Sequence, residues 1–232
     1  LSEAMLEALK LNLEEIEKSK KIKSVIIKAS GRAFCPGHDL KEMQEKRDLE
    51  NDGGKAYFEK LLSKCTHVMK LIRELPQPVI AEVQGVAAAA GCQLVATCDI
   101  AVASEEASFG VNGVDIGLFC STPMVALSRN ITRKKAFEML TTGDFLDPFQ
   151  AEKLGLINKV ANSKDLGNCS IEIAEKIASK LSLAVKIGKK AFYKQAEMEI
   201  DHAYSYASSV IVENLLFKET NQGMNDFLNK KN

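Results

Sequence analysis

Between Phe34 and Asp39 the chain reads Phe-Cys-Pro-Gly-His-Asp, which sets a thiol, an imidazole and a carboxylate in one short loop. Cys35 and His38 are the pair that nucleophilic thiol chemistry needs. No third group near them in sequence would orient the ring, so Cys35 reads as a small filler residue and the His38 ring as a loop bystander before a base. Asp39 is most simply the N-cap of a helix beginning near Leu40. The remaining cysteines, Cys65, Cys92, Cys98, Cys120 and Cys169, are scattered, and no two show the spacing of a zinc site.

The elements that must position these groups alternate. Helical spacing runs through Met5, Leu6, Leu9, Leu13 and Ile16 with Ser2 as its N-cap, and a β-branched run at residues 24–29 predicts a buried strand. After the loop at residues 31–39, residues 41–54 are charged and aperiodic, which predicts a mobile or lid-like segment. Helical spacing resumes from Phe58 to Ile72 and stops before Pro76 and Pro78. A strand at Val79–Val83, a turn at Gly85, an alanine-rich segment and a strand at Ile100–Ala103 follow, then Phe109-Gly110 and a glycine-containing loop around Asn112-Gly113. From about Thr132 the pattern is mostly helical, punctuated by Gly143 and Gly155. Alternation of this kind predicts a layered α/β fold.

At 232 residues one domain is expected. Lys+Arg 31 balances Asp+Glu 31, so no global field gathers a polyanion. The cluster Lys18, Lys20, Lys21 and Lys23 reads as a solvated helix end, and no nucleic-acid partner is expected. Six cysteines in a chain too large to depend on disulfides point to a reducing compartment. No apolar run approaches the roughly 20 residues that span a bilayer, so no membrane insertion is expected. Because the chain opens at Leu1 within a helical pattern, it reads as a fragment lacking a first strand and any targeting peptide.

Three segments, in order and in register, resemble the crotonase (enoyl-CoA hydratase/isomerase) superfamily: Phe34 to Glu42; Pro78-Val79-Ile80-Ala81 with Gly85 and Ala90-Gly91-Cys92-Gln93-Leu94; and Cys98 to Ala103. Any one of them is weak alone, since glycine-rich turns before helices are common. The resemblance covers nearly the whole chain. It implies a ClpP-like ββα spiral core over residues 1–165 and a helical trimerisation region over 166–232 of the same domain. It also implies a mitochondrial address and assembly as a homotrimer or a dimer of trimers. The substrate is then an acyl-CoA thioester of fatty-acid metabolism, with no further cofactor and no metal.

Such a fold stabilises a thioester enolate with two backbone N–H groups aimed at one oxygen. By motif position these are the amides of His38 and Ala90, the second at a helix start, where amides lack intrahelical partners and the dipole favours negative charge. Small residues from Ala87 to Gly91 would let substrate approach the backbone; tight helix packing is the alternative reading of that run, and the other motifs weigh against it. Family hydratases add two glutamates that hold and deprotonate water, and here Gln93 and Gly113 stand in their places. Gln93 can hydrogen-bond water without taking its proton. Gly113 offers no side chain. A positioned acid or base is worth ~10²–10⁴-fold, so hydration is expected to be weak or absent while thioester binding persists.

Asp115 is the best spare carboxylate, though displaced by about 6.6 Å if its segment is extended; solvent or capping duty is its plainer role. The dienoyl-CoA isomerase branch places an Asp where Ser121 stands, which disfavours that branch. Cys120 and Ser121 line the acyl pocket or simply pack. For CoA, the resemblance implies the loop residues Arg32, Ala33, Cys35 and Gly37, together with Phe227 and Lys230 from a neighbouring subunit. Phe227 reads equally as an amphipathic core residue, and Arg32 as an ordinary surface arginine. Two alternatives remain beside a weak hydratase: a crotonase of another reaction (isomerase, decarboxylase or thioesterase), and a non-catalytic acyl-CoA-binding regulator.

Overall fold

Three times in the first half of the chain a strand ends at a tight corner and a second strand begins almost at once. The pairs are β1 (Val25–Lys28) and β2 (Ala33–Cys35), β3 (Val79–Val83) and β4 (Val86–Ala88), and β5 (Ile100–Ser104) and β6 (Ser108–Gly110). In this computed structural model, which describes residues 1–229, the first members join β7 (Lys159–Ala161) in a sheet ordered β1-β3-β5-β7. The second members form a sheet ordered β2-β4-β6. Every pair of strands is parallel, so the chain must cross back after each corner, and helices make the crossings. The result is the ββα spiral expected from the sequence.

Glycine makes the stacked corners possible. A Cβ on Gly85 would lie 2.1 Å from the Arg32 carbonyl oxygen of the corner beside it. Gln84 ties the same corners by donating to the Ala33 carbonyl at 3.0 Å. At the centre, Val79, Ile80, Ala81 and Val83 of β3 are fully buried, as a strand covered on both faces must be.

The first helices are α1 (Glu3–Lys18), α2 (Leu40–Leu49), α3 (Lys55–Glu74) and α4 (Ala90–Thr97). A 3₁₀ turn at Asn112–Ile116 leads to α5 (Ser121–Asn130), α6 (Arg133–Thr142) and α7 (Pro148–Leu154). Last come α8 (Leu166–Ala178), α9 (Ser182–Gln195), α10 (Ile200–Leu215) and α11 (Lys218–Asn229). Ser2 and Asp39 cap α1 and α2 as expected, each side chain accepting backbone N–H groups of the first turn. Gly143 and Gly155 end α6 and α7 in left-handed conformations. All eight residues of α4 are buried between β2, β4 and α5.

Three local expectations are corrected. Residues 41–54, expected to be aperiodic and mobile or lid-like, are largely helical: α2 occupies most of them, and since none of its residues is buried, it has no apolar period to read. The first strand is half-buried, because β1 lies at a sheet edge. Strands β4 and β7 are three residues each, too short for a period to show. No helix among the described residues is long and apolar enough to cross a membrane.

A charge cluster around the buried Lys189 fastens α9 to the sheet. Lys189 Nζ donates to Asp99 Oδ2 at 2.6 Å and to the Ile72 and Gln77 carbonyls at 2.9 and 3.0 Å. The Tyr193 hydroxyl donates to Asp99 Oδ1 at 2.7 Å, and Asp99 Oδ2 also receives the Val79 N–H at 2.7 Å. Burial pulls the Lys189 pKa down while Asp99 opposes the shift.

Candidate functional site

The loop after β2 and the start of α4 meet. A Cβ placed on Gly37 (φ +106°) would lie 3.3 Å from the Ala89 Cβ and 3.9 Å from the Ala90 nitrogen. Beneath that contact Gly91 lets α4 close on β2, since a Cβ there would stand 1.9 Å from the Cys35 carbonyl oxygen. Gly37 and Gly91 thus set two backbones against each other with no side chain between them.

Ala89 makes the turn that leads into the helix. Among the described residues it is the non-glycine with positive φ, at φ 48° and ψ −116°, a conformation costing about 1–3 kcal/mol. Two bonds hold it: its N–H donates to the Gly110 carbonyl at 2.8 Å, and its carbonyl receives the Gln93 N–H at 3.0 Å. The next amide, that of Ala90, opens α4. Among the described residues neither the Ala90 N–H nor the His38 N–H donates to a protein acceptor outside regular ladders. Gly37 and the strained Ala89 bring the loop that carries the His38 amide against the helix start that carries the Ala90 amide.

The His38 ring is held by backbone. Its Nδ1 lies 3.1 Å from the Leu1 carbonyl oxygen, which requires the proton on Nδ1, and Nε2 is buried with no partner among the described residues. Burial lowers the imidazole pKa, so the neutral ring prevails at physiological pH. The Leu1 amino group donates to the Gly37 carbonyl.

The two places of the family glutamates differ in kind. Gln93 is 6% exposed, and its Oε1 is buried without a partner among the described residues. It follows Ala90 by three residues on α4, so the two share a helix face. At Gly113 the space for a side chain is filled: a Cβ would stand 2.4 Å from the Leu118 carbonyl oxygen and 2.9 Å from Cys120 Sγ. The 3₁₀ turn closes with the Leu118 N–H donating to the Gly113 carbonyl at 2.9 Å. Sequence reading had not revealed this closure; its one outward sign is glycine at both 113 and 117.

Asp115 lies in that turn and not in an extended segment, so the displacement reckoned for an extended chain does not apply. Its exposed carboxylate packs on Gly143, 2.8 Å from where a Cβ would be, and Oδ2 receives the Asn112 side-chain amide at 3.4 Å. Cys120 is buried at the start of α5, while Ser121 is exposed. Of the CoA candidates, Cys35 and Gly37 are buried, Ala33 is half-buried in β2, and Arg32 is exposed at the corner. Phe227 is exposed on α11, and Lys230 lies outside the described residues.

The sequence model for enoyl-CoA hydratase/isomerase matches residues 1–232. The chain belongs to the enoyl-CoA hydratase/isomerase family. Within it, the chain is 45% identical over 231 residues to the enoyl-CoA hydratase domain-containing protein 3, mitochondrial, of Rattus norvegicus, covering 100% of this chain and 75% of that one. A crystal structure of an enoyl-CoA hydratase of Mycobacterium smegmatis superposes with a TM-score of 0.95 at 47% identity, covering 99% and 87% of the two chains. The human domain-containing protein 3 superposes with a TM-score of 0.93 at 44% identity, over 99% and 88%. The fold is therefore the crotonase α/β fold of this enoyl-CoA hydratase/isomerase family, and relatives named as mitochondrial support a mitochondrial location.

Proposed function

We propose that the chain binds acyl-CoA thioesters of fatty-acid metabolism in mitochondria, holding the thioester oxygen between the His38 and Ala90 amides, with hydration weak or absent. The observation that carries this reading is the junction of Gly37 with the strained Ala89–Ala90 turn, which sets the loop of His38 against the start of α4. Two N–H groups on one oxygen favour the enolate over the ground-state carbonyl, and one such donor is worth about 2.7–4 kcal/mol.

Water activation lacks its groups. Gln93 is neutral at every physiological pH, Gly113 carries no side chain and has no room for one, and the exposed Asp115 carboxylate lies against Gly143, beside the Asn112 amide. Cys35 and Gly37, with Ala33 and Arg32 before them, are the proposed contacts to CoA on this chain, and Phe227 and Lys230 those given to a neighbour. Exposed apolar residues on α10 and α11, including Tyr204, Ile211, Leu215, Met224 and Phe227, with Leu216 between the two helices, support assembly as a homotrimer or a dimer of trimers.

The test pairs calorimetry with butyryl-CoA and a hydration assay with crotonyl-CoA. Binding without hydration at rates typical of the family is expected. Turnover at such rates, or no measurable binding, overturns the reading.

A further inference from the structure

We propose that Cys120 is a covalent acceptor whose thiol adds to the β-carbon of an α,β-unsaturated acyl thioester held by the His38 and Ala90 amides. The proposal rests on the binding role given above to those amides, and goes beyond it by assigning a nucleophile.

Position comes first. Helices α4 and α5 pack along each other, and Asn130 at the end of α5 donates to the Ala96 carbonyl near the end of α4 at 2.8 Å. With their C-termini tied, their N-termini share the opposite end. Those N-termini carry Ala90 and Cys120. The Cys92 thiol, two residues into α4 from Ala90, is near enough to feel charge on Cys120. The sulfur also stands where the second glutamate would begin, 2.9 Å from the place of a Cβ on Gly113, and the Gly113 N–H interacts with it.

A second group at this end awaits a ligand. Gln93 is more than nine-tenths buried, and its Oε1 has no partner among the described residues. Helical side chains lean toward the N-terminus, so Gln93 leans toward Ala90 and the start of α5. A buried acceptor left unpaired costs about 1–3 kcal/mol, which a bound molecule with a donor would recover.

The chemistry needs no co-reactant. The Cys120 thiol first gives its proton to solvent; the thiolate sulfur then bonds the β-carbon while the C=C π pair moves through the α-carbon to the thioester oxygen as an enolate between the two amides. The enolate then takes at its α-carbon a proton equivalent to the one that sulfur lost. Neither water nor the thiol has a carboxylate to take its proton, but a thiol ionises far more readily than water and its thiolate is a strong nucleophile, and confinement beside the substrate raises its effective concentration. The reverse steps release the enoyl thioester unchanged.

The test is acid-quenched mass spectrometry of the whole protein after incubation with crotonyl-CoA, followed by peptide mapping, with calorimetry of saturated butyryl-CoA alongside. Expected is a gain equal to intact crotonyl-CoA on the Cys120 peptide, lost in C120S and retained in C169S. Burial raises the thiol pKa, so the rate should climb about tenfold per pH unit below that value. Mapping of wild-type protein locates the modified sulfur even where C120S fails to fold. Butyryl-CoA binding with no adduct overturns the thiol proposal and leaves the binding role standing. An adduct confined to Cys35, or a gain of the acyl group alone, also overturns it. Failure of butyryl-CoA to bind overturns both.

Discussion

Returning the two missing carboxylates should not restore a hydratase, and the reason is geometric. In Gln93→Glu the new acid replaces a side chain of nearly the same shape on the Ala90 face of α4. One positioned base is worth ~10²–10⁴-fold, and here it lacks its partner, so a gain of at most about 10²-fold in crotonyl-CoA hydration is expected. Gly113→Glu is different. Its Cβ would meet the Leu118 carbonyl oxygen at 2.4 Å and Cys120 Sγ at 2.9 Å, so backbone must move and the Leu118-to-Gly113 hydrogen bond is put at risk. Overpacking of this kind costs about 1–3 kcal/mol, which for a chain of this size lowers Tm by roughly 2–12 °C. The double variant should therefore melt earlier than Gln93→Glu and hydrate no faster. The assay is the loss of ultraviolet absorbance of the enoyl thioester, read beside a thermal melt. A double variant as stable as wild type, with a further gain of 10²-fold or more, would refute the steric reasoning.

Further substitutions probe the framework. Gly91→Ala puts a Cβ 1.9 Å from the Cys35 carbonyl oxygen, so butyryl-CoA affinity and Tm should both fall; Gly188→Ala, in the interior of α9 with nothing within 4 Å, should instead stabilise by up to about 1 kcal/mol, and a reversed order in calorimetry and melting would contradict the packing described. Lys189→Met leaves the half-buried Asp99 carboxylate without its cation, at a cost of at most about 3–5 kcal/mol; denaturant unfolding should show that Asp99→Asn added to it costs much less than the sum, and simple additivity would argue against the pair. Glu3, held by Lys60 and Lys64, has its pKa lowered to about 2 from 4.5. A lowered folded pKa gives stability present above pH 4.5 and lost as pH falls toward 2. Because these side chains are partly solvated, Glu3→Gln should cost only about 1 kcal/mol at neutral pH. Melts at pH 7 and pH 2 should show the difference vanish at the lower pH.

Residue types and spacing by themselves determined the α/β class, the strand at Val79–Val83, the capping roles of Ser2 and Asp39, and the absence of carboxylates at positions 93 and 113. These are local matters: a β-branched run, a side chain that accepts its own helix's amides, or the identity of one residue is complete in the string. The meeting of Gly37 with Ala89–Ala90, the strain at Ala89 and the tying of α4 to α5 through Asn130 were decided only in three dimensions, because each joins segments far apart in sequence. Residues 41–54 were misread since α2 buries nothing and so carries no period. Gly113 was read as an empty place; the fold fills it with the Leu118 carbonyl and the Cys120 sulfur. A glycine in the string marks a missing side chain, and only the packing around it decides whether the space left behind is open or taken.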